Sequence, residues 1–241
     1  MPKKNSNGSS NGNSNGNGSR LNTTNNKNYI KCSPTAKTDE QKQVLRSFSE
    51  NDITFVYGPP GSGKSFLATM WALSEFSKGK YEKIIITRPA VEAYGEKLGF
   101  LPGDADEKLA PYMYPIVSFI LEAITEEFLQ KLLREKSIMT IPLAFQRGIN
   151  FKNSIVIGDE FQNTIPKQMR MFLTRLQLDS KIIVTGDLNQ SDLPDENGLK
   201  DAIGRFKNVS GIGVCELTEE SIVRHPIIKE IEKRYIEPPS P

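Results

Sequence analysis

The stretch Gly58-Pro59-Pro60-Gly61-Ser62-Gly63-Lys64-Ser65 decides the fold. It fits the pattern G-x-x-x-x-G-K-[S/T], and its flanks are the ones that pattern needs. Ile53–Tyr57 before it reads as a short buried strand, and residues 66–73 after it read as a helix. Glycines let successive backbone N–H groups point into one concave nest. The helix N-terminus adds partial positive charge, so the loop suits an anion. The pattern assigns Gly58 through Ser65, with Phe66 behind them, to a nucleotide's phosphates, Lys64 reaching the β- and γ-phosphates and the Ser65 hydroxyl ligating Mg²⁺. A chance match in a chain of this length is roughly a one-per-cent event. The competing reading, a plain glycine turn between two elements, does not call for the lysine and the hydroxyl that follow.

Working outward, short apolar runs recur at 84–87, 154–157, 181–185 and 212–217, alternating with helical stretches at 38–49, 66–77, 107–136, 166–176, 199–206 and 226–235. The long 107–136 stretch is expected to break at Pro111 and Pro115, and 138–141 is a short segment without an assigned role. Strands alternating with helices predict an α/β fold, a parallel sheet covered on both faces. No repeat or linker divides residues 29–241, so one domain is expected there. Residues 1–28 differ: Asn, Ser and Gly fill 19 of the 28 positions, a composition that reads as a disordered tail.

The whole chain carries a formal charge of +2, but the tail holds Lys3, Lys4, Arg20 and Lys27 and no acid; without those four charges the remainder is −2. Bulk charge therefore does not make the folded part a nucleic-acid binder, and such binding needs a local basic surface. Lys167, Arg170 and Arg175 on one helix, and the Gly/Pro-rich loop 91–104, are the candidates. Cys32 and Cys215 form no C-x-x-C pair or disulfide framework, which fits a reducing cytoplasm, and no apolar run reaches membrane-span length.

In a parallel sheet ligands gather at the carboxyl ends of the strands. Asp159 follows four apolar residues, the Walker B arrangement, and is expected to hold Mg²⁺. Glu160, the acid beside it, is placed to polarise a water for attack on the γ-phosphate, which marks hydrolysis. Gln190, after the fourth strand, occupies a sensor position for the attacking water. A guanine-reading N-K-x-D is absent. Arg88, Arg147, Arg170, Arg175 and Arg224 all lie near element ends, and spacing does not rank them; Arg175 and Arg224 are the candidates for the cation that completes the site. His225, the sole histidine, lacks partners for a triad or metal site. Gln41 has two competing roles: third residue of a capping box begun by Thr38, or reader of an adenine edge.

As a set these motifs resemble the PhoH family of P-loop ATPases over about 200 residues, from Gln41 to Tyr235. Beyond the P-loop the resemblance runs through Thr87-Arg88-Pro89-Ala90-Val91-Glu92-Ala93 and Gly99-Phe100-Leu101-Pro102-Gly103-Asp104. It continues through Asp159-Glu160-Phe161-Gln162-Asn163-Thr164, Thr185-Gly186-Asp187 with Gln190, and Val223-Arg224-His225. It implies a RecA-like core similar to the first motor domain of superfamily 1 helicases, ATP as nucleotide, single-stranded RNA or DNA as partner, and a homo-oligomeric ring, often a hexamer. The chain departs from the family pattern at Tyr94, an insertion, and at Phe161, where a small residue is usual; both fall near the expected substrate side. The nuclease domain of some relatives is not among the motifs, so ribonuclease activity is not implied. The reading is a Mg²⁺-dependent ATPase, with helicase activity if subunits cooperate. A small-molecule kinase and a nucleotide-switched binding module are the alternatives.

Overall fold

The computed structural model describes residues 30, 32–89, 105–146, 148–193, 197–223, 227 and 234. The tail 1–28, the loop 91–104, Arg147, Arg224, His225 and most of the 226–235 helix lie outside the described residues. No helix among the described residues is long and apolar enough to cross a membrane.

The chain order is α1 (Asp39–Glu50), β1 (Ile53–Tyr57), α2 (Lys64–Ser77), β2 (Lys83–Thr87), α3 (Ala105–Ala123), α4 (Glu126–Arg134), β3 (Ile138–Thr140), β4 (Ser154–Gly158), α5 (Pro166–Leu173), β5 (Lys181–Gly186), α6 (Gly198–Phe206) and β6 (Ile212–Glu216). The six strands form one sheet in the order β3-β2-β4-β5-β1-β6, every pairing parallel. Central β4 is buried at all five positions, which is why it reads as an unbroken apolar run. Alternate strand residues serve opposite faces. Val56, Ile86, Ile157 and Ile183 pack with Val44 and Phe48 of α1, Leu67 and Trp71 of α2, Ile116 and Ile120 of α3 and Leu129 of α4. Phe55, Val156, Ile182 and Val184 pack with Met169 and Phe172 of α5 and with Leu199 and Ala202 of α6. The expected two-sided α/β sheet is present.

Two expectations change. The unassigned 138–141 segment supplies a sixth, edge strand, β3, paired with β2 through Ile84↔Ile138; three residues are too short a run to announce a strand. The helix after the 91–104 loop passes through both Pro111 and Pro115 without ending. A proline deletes one helical N–H and crowds the carbonyl four residues back. Burial of Ile116 and Ile120 against the core outweighs that loss here. The break falls after Ala123, where Thr125 turns extended and its hydroxyl accepts the Phe128 N–H at 3.3 Å to cap α4.

Candidate active site

β1 delivers the P-loop to the carboxyl edge of the sheet. Gly58 has φ +151°, and a Cβ there would lie 2.0 Å from the Leu217 carbonyl oxygen, so nothing but glycine fits. Gly63 closes the loop in the left-handed region at φ 91° and caps α2, and Gly63 to Phe66 line the cavity at this helix N-terminus. Lys64 Nζ donates to the carbonyls of Gly58 at 2.7 Å and Pro59 at 2.8 Å, so the ammonium lies along the loop that the phosphates would enter. A cavity of about 480 Å³ opens over it, lined among others by Gly61, Lys64, Ser65, Asp159, Glu160 and Gln190.

Parallel register explains why these groups meet. Thr87 pairs with Gly158, and Gly158 with Val184, so Arg88, Asp159 and Thr185, each one residue further on, stand side by side. Asp159, 2 % exposed, is the hub. Its Oδ1 accepts hydroxyl protons from Ser65 and Thr185, both at 2.5 Å, and its Oδ2 pairs with Arg88 Nε at 3.0 Å. A hydroxyl and a carboxylate, both hard oxygens, touch at the head of α2. That donor set suits Mg²⁺, which asks for one or two protein oxygens and takes the rest from phosphate and water. No cluster of three or more His, Cys, Asp or Glu side chains competes for a metal among the described residues.

Glu160 adopts a left-handed backbone, φ 59° and ψ 35°, at the start of the 3₁₀ turn Phe161–Asn163. Its Oε1 accepts from Arg88 Nη2 at 3.3 Å and its Oε2 from Gln162 Nε2 at 2.6 Å. The side chain is 44 % exposed, open enough to meet a water in the cavity. Gln190 is exposed and lines the same cavity. The structure thus brings together Lys64, Ser65, Asp159, Glu160 and Gln190 of the expected set, and adds three residues spacing had not ranked. Arg88 contacts both acids, Thr185 shares Asp159 with Ser65, and Gln162 holds Glu160.

Gln41 is 3 % exposed and uses its whole amide internally. Oε1 accepts the Lys37 N–H at 2.7 Å, while Nε2 donates to the carbonyls of Ser62 at 2.9 Å and Ser221 at 3.5 Å. It braces the P-loop from behind. Beside it Glu40 accepts the Thr218 N–H at 2.9 Å and the hydroxyls of Thr218 at 2.8 Å and Ser221 at 2.5 Å. Burial works against the Glu40 charge, but these donors from Ser221 and Thr218 outweigh it and leave the carboxyl below its ordinary value. Val223 N–H reaches the Gly61 carbonyl at 3.1 Å, so the chain beyond Ser221 also leans on the loop. Phe66 sits edge-on to Phe119 of α3, ring centroids 5.5 Å apart, and lines the same cavity.

Other expected residues fall elsewhere. Arg175 does not join the site of its own chain: its carbonyl accepts the Phe151 N–H at 2.9 Å, at the opposite edge of the sheet. The length of β4 alone, about 16 Å, separates it from Asp159. Its Nε is buried and finds no hydrogen-bond partner among the described residues. Phe161 is fully buried, its ring tilted against Phe172 with centroids 4.7 Å apart, and its bulk fills space over Gly158. Arg224 and Tyr94 lie outside the described residues.

Comparison with known proteins settles the lineage. The family model described as PhoH-like protein matches residues 34–236. The chain belongs to the PhoH family. A PhoH-like protein of Synechocystis is 43 % identical over 213 residues, covering 86 % of this chain and 65 % of that protein. A PhoH-like protein of Bacillus subtilis is 43 % identical over 201 residues, covering 83 % and 63 %. The chain therefore spans less than two thirds of these PhoH relatives. Among solved structures, the large terminase of a thermophilic bacteriophage superposes with a TM-score of 0.50 at 12 % identity, covering 86 % of this chain and 52 % of that one. That likeness concerns the fold: this PhoH member has the RecA-like P-loop architecture.

Proposed function

We propose that residues 29–241 form one ATPase domain that hydrolyses ATP with Mg²⁺, works as a homo-oligomeric ring in the cytoplasm, and acts on single-stranded RNA or DNA. One observation carries the hydrolytic part. Glu160, whose carboxylate is 44 % exposed at the cavity wall, stands beside buried Asp159, which holds Ser65, and shares the cavity with Gln190. Lys64 and the N–H groups at the head of α2 bind and orient the phosphates, and Phe66 closes the cavity behind them. Ser65 and Asp159 would hold Mg²⁺, which supplies neutralisation of phosphate charge when bound. Glu160 takes a proton from the attacking water, and Gln190 positions that water. Arg88 keeps Asp159 and Glu160 aimed at their tasks. The nucleic-acid part draws support from the family resemblance and from Lys167 and Arg170, both exposed on α5. The ring draws support from the resemblance and from the position of Arg175, which a phosphate could meet only in a neighbouring subunit.

The test is the ATP hydrolysis rate of the full chain with and without single-stranded RNA and DNA, beside a mass measurement of the assembly. Lys64→Ala should lose nucleotide binding. Glu160→Gln should bind ATP while its turnover falls about 10²–10⁴-fold, the usual worth of a general base. Near-normal turnover by Glu160→Gln removes the general-base assignment.

A further inference from the structure

Gln162 is buried to 1 % exposure two residues beyond Glu160, and every polar atom of its side chain is committed. Nε2 donates to Glu160 Oε2 at 2.6 Å and to the Gln190 carbonyl at 3.4 Å, and Oε1 accepts the Asp187 N–H at 3.0 Å. The orientation of this amide is dictated by its partners. A backbone N–H can only donate and a carboxylate can only accept, so one flip satisfies both and the other satisfies neither. The site is built tightly: a Cβ on Gly186 would lie 2.6 Å from Gln162 Oε1. The surrounding turn is stitched to the same loop, with Ser191 Oγ donating to the Gln162 carbonyl at 3.1 Å. Asn163 and Asp192 exchange two further bonds, of 3.0 and 2.8 Å.

We propose that Gln162 is a positioning residue that aims Glu160 and locks it to the loop carrying Gln190. The group that takes the water's proton and the group that places the water then move as one body. Glu160 needs such a hold because its left-handed backbone leaves the side chain without a helix to orient it. Only a side chain that donates and accepts at once can serve; glutamate would set a second carboxylate against Glu160, and methionine would offer neither bond. The inference rests on the reading of Glu160 as general base, and the experiment separates the two.

Gln162→Met and Gln162→Glu are made in the full chain, alone and combined with Glu160→Gln, and ATP turnover is measured beside nucleotide affinity. Orienting partners of a functional group typically carry about 10–100-fold, so kcat should fall by that much in each single variant with KM for ATP within about twofold. Added to Glu160→Gln, either substitution should change turnover by less than about twofold, because the group it acts through is already gone. Equal losses in both backgrounds would show that Gln162 merely supports the fold, and would overturn the proposal. Amide hydrogen exchange on the nucleotide-free protein is the second arm and needs no catalysis. Residues 187–192 should exchange faster in Gln162→Met while β4 and β5 keep their protection; unchanged exchange there also overturns it. If Glu160→Gln alone leaves turnover intact, the general base is misassigned, and the exchange arm still decides whether the tether exists. Should Gln162→Met fail to fold, Gln162→Glu, which keeps shape and the Asp187 bond, gives the same comparisons.

Discussion

Replacing Gln41 by methionine separates its bracing of the P-loop from the base-reading role. The side chain keeps its length and bulk but loses both amide groups. The Lys37 N–H, bonded at 2.7 Å, and the Ser62 carbonyl, bonded at 2.9 Å inside the P-loop, are left without partners, while the 3.5 Å contact to Ser221 is too long to weigh much. Lys37 is exposed and water can take over its N–H, whereas Ser62 is buried, so the stranded carbonyl dominates at about 1–3 kcal/mol. In a domain of this size 1 kcal/mol moves Tm by about 2–4 °C, which places the expected drop at about 6 °C. Calorimetry on the nucleotide-free protein reads that number directly. Because the brace acts on the loop and not on the base, affinities for ATP and GTP should fall together, by equal factors. A melting temperature within about 2 °C of the parent, with ATP–GTP discrimination abolished, would refute the brace and restore the base-reading role.

Other outcomes follow from the same geometry. Glu40 has a depressed pKa in the folded chain, so its stabilisation is full above the unfolded value near ~4.3 and disappears as pH falls through the folded value. Denaturant melts of Glu40→Gln should therefore show lower stability than the parent at neutral pH and a shallower loss on acidification; parallel acid profiles would contradict this. Arg175→Ala should cut turnover more than about tenfold with little change in ATP affinity, and mixing it with Lys64→Ala subunits should restore activity at interfaces that hold one intact half of each kind. No restoration in mixtures shown to exchange subunits would exclude a role in trans. Reversing the charge of Lys167 and Arg170 together should weaken single-stranded RNA binding and reduce its salt slope by about 0.7 per lost phosphate contact. An unchanged slope would move the nucleic-acid surface off α5.

Much of the site was legible because its parts are consecutive in sequence. A nest of backbone N–H groups has to be built from adjacent residues, so Gly58 to Ser65 announces itself, and an acid pair capping an apolar run marks Asp159 and Glu160 almost as directly. The fold class was equally readable from its alternating apolar runs. The edge strand β3 was not, since three residues carry no period, and α3 ran through two prolines because core burial is invisible to a local rule. The contacts among these groups have a different cause. Arg88 and Glu160 are 72 positions apart, and Thr185 and Asp159 are 26 apart; neither separation produces a spacing signal. What joins them is strand order. Once β2, β4 and β5 adjoin in that order in parallel register, the residue after Thr87 must stand beside the residue after Gly158, and Thr185 beside that residue in turn. Among the described arginines near element ends, that adjacency brings Arg88 to the site and sends Arg175 to the opposite edge. Ranking functional residues in a parallel sheet is thus a question of which strands adjoin, and a resemblance strong enough to imply the strand order already contains the answer.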